Sequence, residues 1–249
     1  MNKNYRFILP DRLVWRKTLR EGYINLSARV HAAIGTEGGA MESIKVLQGI
    51  RPSYNRNLIL SRLGYKRGTT GLDEDFRKLL DDTIQKAESL CSLVLAYRMV
   101  GIEACAENSV KLEEGTVLSG KGLSMLLSQS QQAVLMASTA GPRIMEEIRN
   151  LMDNGRTSEA VILDAAASEI ADAGLDFLMD YIGTFLRRRG KALTRHRFSP
   201  GYGDVGIEQQ AHLARLLEID RLGVTLTETY MLIPEKSVLA VAGIIEITG

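Results

Sequence analysis

The sequence predicts an α+β fold in which helices flank a central antiparallel sheet. Short apolar or alternating runs are joined by turns, as in hairpins, and they stand in blocks beside amphipathic helices instead of alternating with them one by one. The chain has 249 residues, of which 45% are hydrophobic. That length is sufficient for one large domain with an extension.

The N-terminal part has the weakest pattern. We expect residues 1–50 to form an N-terminal extension or a small packing element, and residues 51–249 to form the main domain. Residues 20–33 favour a helix that the glycine-rich stretch 35–39 would end, since glycine destabilises a helix interior by about 1 kcal/mol. Residues 40–48 favour a second, short helix.

Hydrophobic periodicity predicts the helices of the main domain. Apolar residues recur at helical spacing from Asp73 to Leu90, with acidic residues in the first turn. Further helical segments are expected at 122–128 and 207–217, and between Pro142 and Gly155. The longest helix is predicted over 158–188, with Thr157 as its N-cap.

The predicted strands are short and are separated by polar or glycine-containing turns. They comprise 97–103, Ser109–Leu112, Gln132–Thr139, 224–233 and 238–247. Pro234, Glu235 and Lys236 would form the turn between the last two. Gln132–Thr139 is apolar throughout, which is typical of a buried strand.

Composition and charge argue against several classes of function. Lys and Arg number 31 and Asp and Glu number 30, a balance that gives no general attraction to nucleic acid or to an anionic membrane. The sequence has no run of about 20 apolar residues and no secretory leader, so we expect a cytoplasmic protein. Cys91 and Cys105 are too far apart for a CxxC pair, and we expect both to be reduced and buried.

The most unusual stretch is the Pro/Gly-rich loop that begins at Arg197, after a cluster of cations. In such a loop a guanidinium group can hold a carboxylate or a phosphate in a bidentate grip. The cations at 187–189 are better explained as the end of a helix, where they face the negative end of the dipole. Gly201, Gly203 and Gly206 spell GxGxxG, but no apolar strand precedes them, as a dinucleotide site requires.

Four aspartates, Asp164, Asp172, Asp176 and Asp180, fall near one row of the longest helix. Most of them are expected to be solvated, and one could face the ammonium group of a ligand. The three histidines do not form a group that would hold a metal. No Ser-His-Asp or Cys-His arrangement is recognisable, so we predict no catalytic residue.

The segment Arg197-x-x-x-Gly201-Tyr202 resembles the S-adenosylmethionine-binding motif of the activation domain of cobalamin-dependent methionine synthase. Its flanks extend the resemblance over about residues 160–245. The helix before the motif carries Asp172 where that family has an acidic ligand-binding residue. After the motif, the stretches 223–234 and 237–238 resemble the family's Leu-Thr-Glu strand, proline turn and Ser-Val strand.

The resemblance implies a site for S-adenosylmethionine. Arg197 would meet the carboxylate of the methionine portion and Asp172 its ammonium group, placed apart from each other. Backbone groups around Pro200, Gly201 and Tyr202 would line the ligand, and the Tyr202 ring would face either the ligand or the corrinoid. Because the Asp-x-His-x-x-Gly cobalamin motif is absent from the sequence, the cobalamin would be supplied by a partner protein.

The implied function is the reactivation of a corrinoid protein, for example a methionine synthase without its own activation domain. A flavodoxin or ferredoxin would reduce cob(II)alamin, and S-adenosylmethionine would then methylate the product. Two alternatives remain open. One is a non-catalytic docking module for a corrinoid methyltransferase; the other, a nucleic-acid binder using the cations at 187–197, is disfavoured by the near-neutral charge.

Overall fold

The computed structural model describes residues 43–66, 71 and 73–247. The predicted helix at 20–33 lies outside the described residues. Within them, the α-helices in chain order are α1 (Arg56–Arg62), α2 (Glu74–Leu90), α3 (Lys121–Leu127), α4 (Arg143–Asp153), α5 (Thr157–Arg187) and α6 (Gln210–Leu217). The strands are β1 (Lys45–Gln48), β2 (Val94–Ala106), β3 (Ser109–Leu112), β4 (Val117–Ser119), β5 (Gln132–Thr139), β6 (Lys191–Leu193), β7 (Thr225–Leu226), β8 (Leu232–Ile233) and β9 (Ser237–Glu246).

The central sheet has the strand order β4-β3-β2-β5-β9-β6, and β1 pairs with the first part of β2 beside β3. Every pairing in it is antiparallel. β7 and β8 form a separate two-stranded hairpin. The predicted α+β architecture, a central antiparallel sheet flanked by helices, is therefore confirmed.

Alternate residues of the three central strands enter two different hydrophobic clusters. Met136 and its partner Ala240 face the cluster that contains α2, α4 and α5. The adjacent pair, Leu135 and Val241, faces the cluster that contains α3 and α6. Because side chains alternate along a strand, both faces of the sheet are covered. We call these the α5 face and the α6 face.

The α5 face depends on very close packing. A Cβ atom added to Gly174 of α5 would lie 2.3 Å from Ser138 Oγ on β5 and 2.7 Å from Leu95 Cδ2 on β2. Glycine therefore brings the helix backbone to the middle of the sheet, and this fixes the position of the second half of α5. That half carries Asp176 and Asp180 of the predicted acidic row.

Several local predictions are wrong. The described part of the predicted helix at 40–48 is strand β1, which forms because it pairs with β2. The run at 224–233 is the β7–β8 hairpin and not one strand, since Tyr230 has a φ of +62° and turns the chain. Thr157 is the first residue of α5 and not its N-cap, a position that Arg156 occupies without a side-chain cap bond. Helix α1 and strands β4 and β6 were not predicted.

Both cysteines are free, but they differ in their surroundings. Cys91 is partly buried, and burial raises the pKa of its thiol to about 12. Cys105 on β2 is exposed, contrary to the prediction that both are buried. Among the described residues, no helix is long and apolar enough to cross a membrane.

Candidate functional site

The loop that follows β6 is joined to the central sheet by backbone hydrogen bonds. Phe198 N–H donates to Val241 O over 2.9 Å, and Val241 N–H donates back to Phe198 O over 2.8 Å. Four residues before Phe198, Thr194 N–H donates to Gly243 O, and Gly243 N–H donates to Thr194 Oγ1. These bonds fix the backbone on both sides of Arg197, so the position from which its side chain extends is well defined.

The motif itself forms a tight turn. Gly201 has a φ of +87°, and its N–H donates to Val205 O over 2.8 Å. A Cβ at this position would also come within 3.0 Å of Ile207 Cδ1, so both the backbone and the packing require glycine. Pro200 is buried under the turn, whereas the side chain of Tyr202 is 71% exposed.

The carboxylate of Asp204 joins this turn to helix α3. Gly122 N–H, in the first turn of α3, donates to both Oδ atoms of Asp204, over 2.9 and 3.2 Å. This hydrogen bond favours the charged form and holds the pKa of Asp204 below its usual value. Gly122 also approaches the Phe198 ring so closely that an added Cβ would lie 2.8 Å from Cζ.

The acidic partners of Arg197 come from α5. The Arg197 Nη2 atom lies 3.2 Å from Asp172 Oδ1, and its Nη1 atom contacts Asp176 Oδ1. Asp172 and Asp176 are one helical turn apart, so both carboxylates point to the same side of α5. The guanidinium group therefore lies between two carboxylates, and its side chain is only 22% exposed.

A second arginine reaches the same carboxylates from α1. Arg62 Nε lies 3.4 Å from Glu169 Oε2, and Arg62 Nη2 lies 3.4 Å from Asp172 Oδ2. Glu169 is buried, and this burial raises the pKa of its carboxyl group, while the positive charge of Arg62 opposes the shift. We call the group formed by Arg62, Glu169, Asp172, Asp176 and Arg197 the ion cluster.

The structure thus brings together Asp172 and Arg197, which are 25 residues apart in the sequence. They form a direct ion pair, whereas the resemblance implied that they would stand apart. Pro200, Gly201 and Tyr202 follow in the turn attached to the same strand, β9. The binding role of these five residues stays a prediction.

Two members of the ion cluster were missed by sequence reasoning. Arg62 lies 110 residues before Asp172, and nothing in its local pattern indicates a site. Glu169 is buried among apolar residues of α5 and gives no sign of its partner. Asp176 was one of four candidates in the acidic row, and the sequence could not choose between them.

The other charged candidates have structural contacts. Asp164 Oδ1 pairs with Lys236 Nζ over 2.6 Å, which ties the turn before β9 to α5. Arg189 lies over the Phe185 ring, 4.4 Å from its centroid. Arg187 donates to Thr184 Oγ1. Arg187 and Arg189 therefore contact the last turns of α5, in line with the prediction that the cations at 187–189 belong to the end of a helix. No group of three or more metal-ligating side chains occurs in the described part of the chain.

A solved structure has a similar fold. The crystal structure of the MetH reactivation domain bound to AdoHcy superposes with a TM-score of 0.61 at 14% sequence identity. The similarity covers 81% of this chain and 78% of that one. Comparison with protein-family models and with curated protein sequences finds no match.

Proposed function

We propose that the chain binds S-adenosylmethionine at the ion cluster and the adjoining turn 197–202. The observation that carries the proposal is the Arg197 guanidinium group, which a tight loop presents to the carboxylates of α5 beside an exposed tyrosine. The amino-acid portion of the ligand is a zwitterion and needs one cation for its carboxylate and one anion for its ammonium group. The fold that this chain shares with a reactivation domain bound to AdoHcy supports the same choice of ligand.

The formal charges fit this ligand. Two guanidinium groups and three carboxylates leave the ion cluster with one excess negative charge, if all five groups are ionised. S-adenosylmethionine carries a carboxylate, an ammonium group and a sulfonium, and thus one excess positive charge. Arg197 would hold the carboxylate, and Asp172 would accept hydrogen bonds from the ammonium group.

We further propose that the bound methyl donor serves the reactivation of a separate corrinoid protein. S-adenosylmethionine supplies a methyl cation equivalent to the cobalamin that the partner carries, after reduction by a flavodoxin or ferredoxin. The residues of this chain would bind the donor and orient it, and the exposed Tyr202 ring would contact the ligand or the arriving corrinoid. This role needs no acid, base or nucleophile from the chain.

Isothermal titration with S-adenosylmethionine tests the first step. We expect saturable binding to the wild type and at least about tenfold weaker binding to Arg197→Ala, because a charge-assisted hydrogen-bonded pair is lost. Arg195→Ala is the matched control, since Arg195 is an exposed cation in the same loop. Absence of binding to the wild type would contradict the proposal and favour the docking module.

The second step is tested by reconstitution. The chain, S-adenosylmethionine, a chemical or flavodoxin reductant and a corrinoid protein carrying cob(II)alamin are combined, and the absorbance of the corrinoid is followed. We expect methylcobalamin to form only when the wild-type chain is present. Equal rates with wild type and Arg197→Ala would contradict a role for this site in the reaction.

A further inference from the structure

We propose that Asp176 is a displaceable counter-ion, which occupies the carboxylate position on Arg197 until the carboxylate of the ligand takes its place. This inference rests on the proposed function and adds a residue that sets the affinity of the site. It starts from the finding that Arg197 is paired with two carboxylates of α5.

Both terminal nitrogens of Arg197 are engaged. Nη1 contacts Asp176 Oδ1, and Nη2 lies 3.2 Å from Asp172 Oδ1. A guanidinium group binds a carboxylate best through two parallel N–H bonds. A ligand carboxylate can therefore make this bidentate contact only after at least one of the two aspartates has moved away.

Asp176 is the one that costs less to release. The Asp172 side chain is 43% exposed and has a second cationic partner, Arg62 Nη2, at 3.4 Å. The Asp176 side chain is 68% exposed, and within the described ranges Arg197 is its ion-pair partner. A largely exposed carboxylate regains its hydration when it is released, so the pair opens at little cost. Asp172 remains in place, held by Arg62, and can turn its free lone pairs to the ammonium group.

The same contacts predict an unusual response to salt. When the ligand binds, the ion pair of Arg197 with Asp176 is replaced by an ion pair of Arg197 with the ligand carboxylate. Added salt screens both pairs, so it weakens the free and the ligand-bound state to a similar extent. The affinity of the wild type should therefore fall only slightly as salt is added. In a variant without the Asp176 carboxylate, the ligand carboxylate pairs with Arg197 and no earlier pair is broken. The affinity of that variant should therefore fall more steeply as salt is added.

The test is titration of wild type and Asp176→Asn with S-adenosylmethionine and with its decarboxylated analogue. We expect Asp176→Asn to bind S-adenosylmethionine about two- to fivefold more tightly, since it removes a competing exposed pair. The analogue lacks the carboxylate and should show no such gain. Asp180→Asn is the matched control, because Asp180 is exposed one turn further along α5 and the variant loses the same charge.

The outcomes separate this inference from the function on which it rests. A gain confined to the carboxylate-bearing ligand, together with a steeper salt dependence than in Asp180→Asn, supports the inference. Binding to the wild type with equal or weaker binding to Asp176→Asn overturns it and leaves the proposed function standing. Failure of wild type and Asp176→Asn alike to bind, with unchanged circular dichroism, overturns the proposed function and this inference together.

Discussion

The two faces of the sheet are built in different ways. On the α5 face, long regular helices pack their apolar stripes against alternate strand residues, and Gly174 lets α5 touch the sheet. On the α6 face, the chain between β6 and β9 contains only short elements, which bury apolar side chains in the second hydrophobic cluster. Hydrogen bonds such as those between Phe198 and Val241 join this segment to the sheet. The first face is packed by long helices, whereas the second joins short elements through its own hydrophobic cluster and through individual hydrogen bonds.

This difference explains where the candidate site lies. Its carboxylates stand on the rigid helix, and its arginine and tyrosine stand on the hydrogen-bonded loop. A site at this junction has one wall on a long packed helix and one wall on a loop that is hydrogen-bonded to the sheet. The three predictions below test whether the faces differ in this way.

The largest effect is expected from the close packing of Gly174. In Gly174→Ala the new methyl group would overlap Ser138 and Leu95, and overpacking of this kind costs about 1–3 kcal/mol. Gly183→Ala is the matched control on the same helix, since its Cβ would meet Arg187 Nη1 at an ordinary 3.7 Å. That variant should gain up to about 1 kcal/mol from helix propensity.

Equilibrium unfolding in urea measures both variants. If the α5 face is closely packed, Gly174→Ala should lower the free energy of unfolding, whereas Gly183→Ala should raise it. Equal stability of Gly174→Ala and Gly183→Ala would mean that α5 can move away from the sheet, and that the first wall is not rigid.

An intermediate effect is expected from Asp204, which joins the turn to α3. Asp204→Ala removes the acceptor for Gly122 N–H, so we expect weaker binding of S-adenosylmethionine with little change in the melting temperature. Asp220→Ala, which removes an exposed aspartate outside the turn, should bind as the wild type does. A large loss of melting temperature in Asp204→Ala would show that this single contact contributes to the stability of the fold and not only to the position of the turn.

The pH dependence of this contact has a defined sign. The folded-state pKa of Asp204 is lowered, so its stabilising contribution is present above the usual aspartate value and is lost as the pH falls through the lowered pKa. The amide chemical shift of Gly122, followed by NMR during acidification, should therefore titrate with a midpoint below that of an ordinary aspartate.

The smallest effect is expected from Glu169 on the α5 face. Burial raises its pKa, so the fold favours the protonated form, and stability should decrease as the pH rises from the usual glutamate value to the raised one. Glu169→Gln removes this decrease and should be no less stable than the wild type at neutral pH. Its partner Arg62 is 41% exposed and regains solvent when the pair is lost.

Thermal unfolding between pH 4 and pH 8 checks this prediction, with Glu146→Gln on the exposed side of α4 as the control. A clear loss of stability in Glu169→Gln alone would show that the ion pair with Arg62 outweighs the cost of burial.

The contrast between the faces also explains what the sequence could predict. Helical periodicity located α2 and α5 within one or two residues, and the apolar run Gln132–Thr139 coincides with β5. These elements carry their own pattern. Strands β1 and β6 do not, because only pairing with β2 and β9 makes them strands.

The candidate site shows the same limit. Arg197, Gly201 and Tyr202 were found because they form a compact motif. The contact of Asp172 with Arg197 required the helix and the loop to meet, and the resemblance suggested both residues without their direct pairing. Arg62 could not be predicted, since it reaches the cluster only through the packing of α1 on α5.

The lengths of the outer strands have a consequence for behaviour at high concentration. β4 and β6, at the two ends of the central sheet, have three residues each, and β1 has four. A short outer strand offers few unpaired N–H and C=O groups to a neighbouring molecule. Because the outermost strands are this short, the two ends of the described sheet offer few backbone groups for strand-to-strand association.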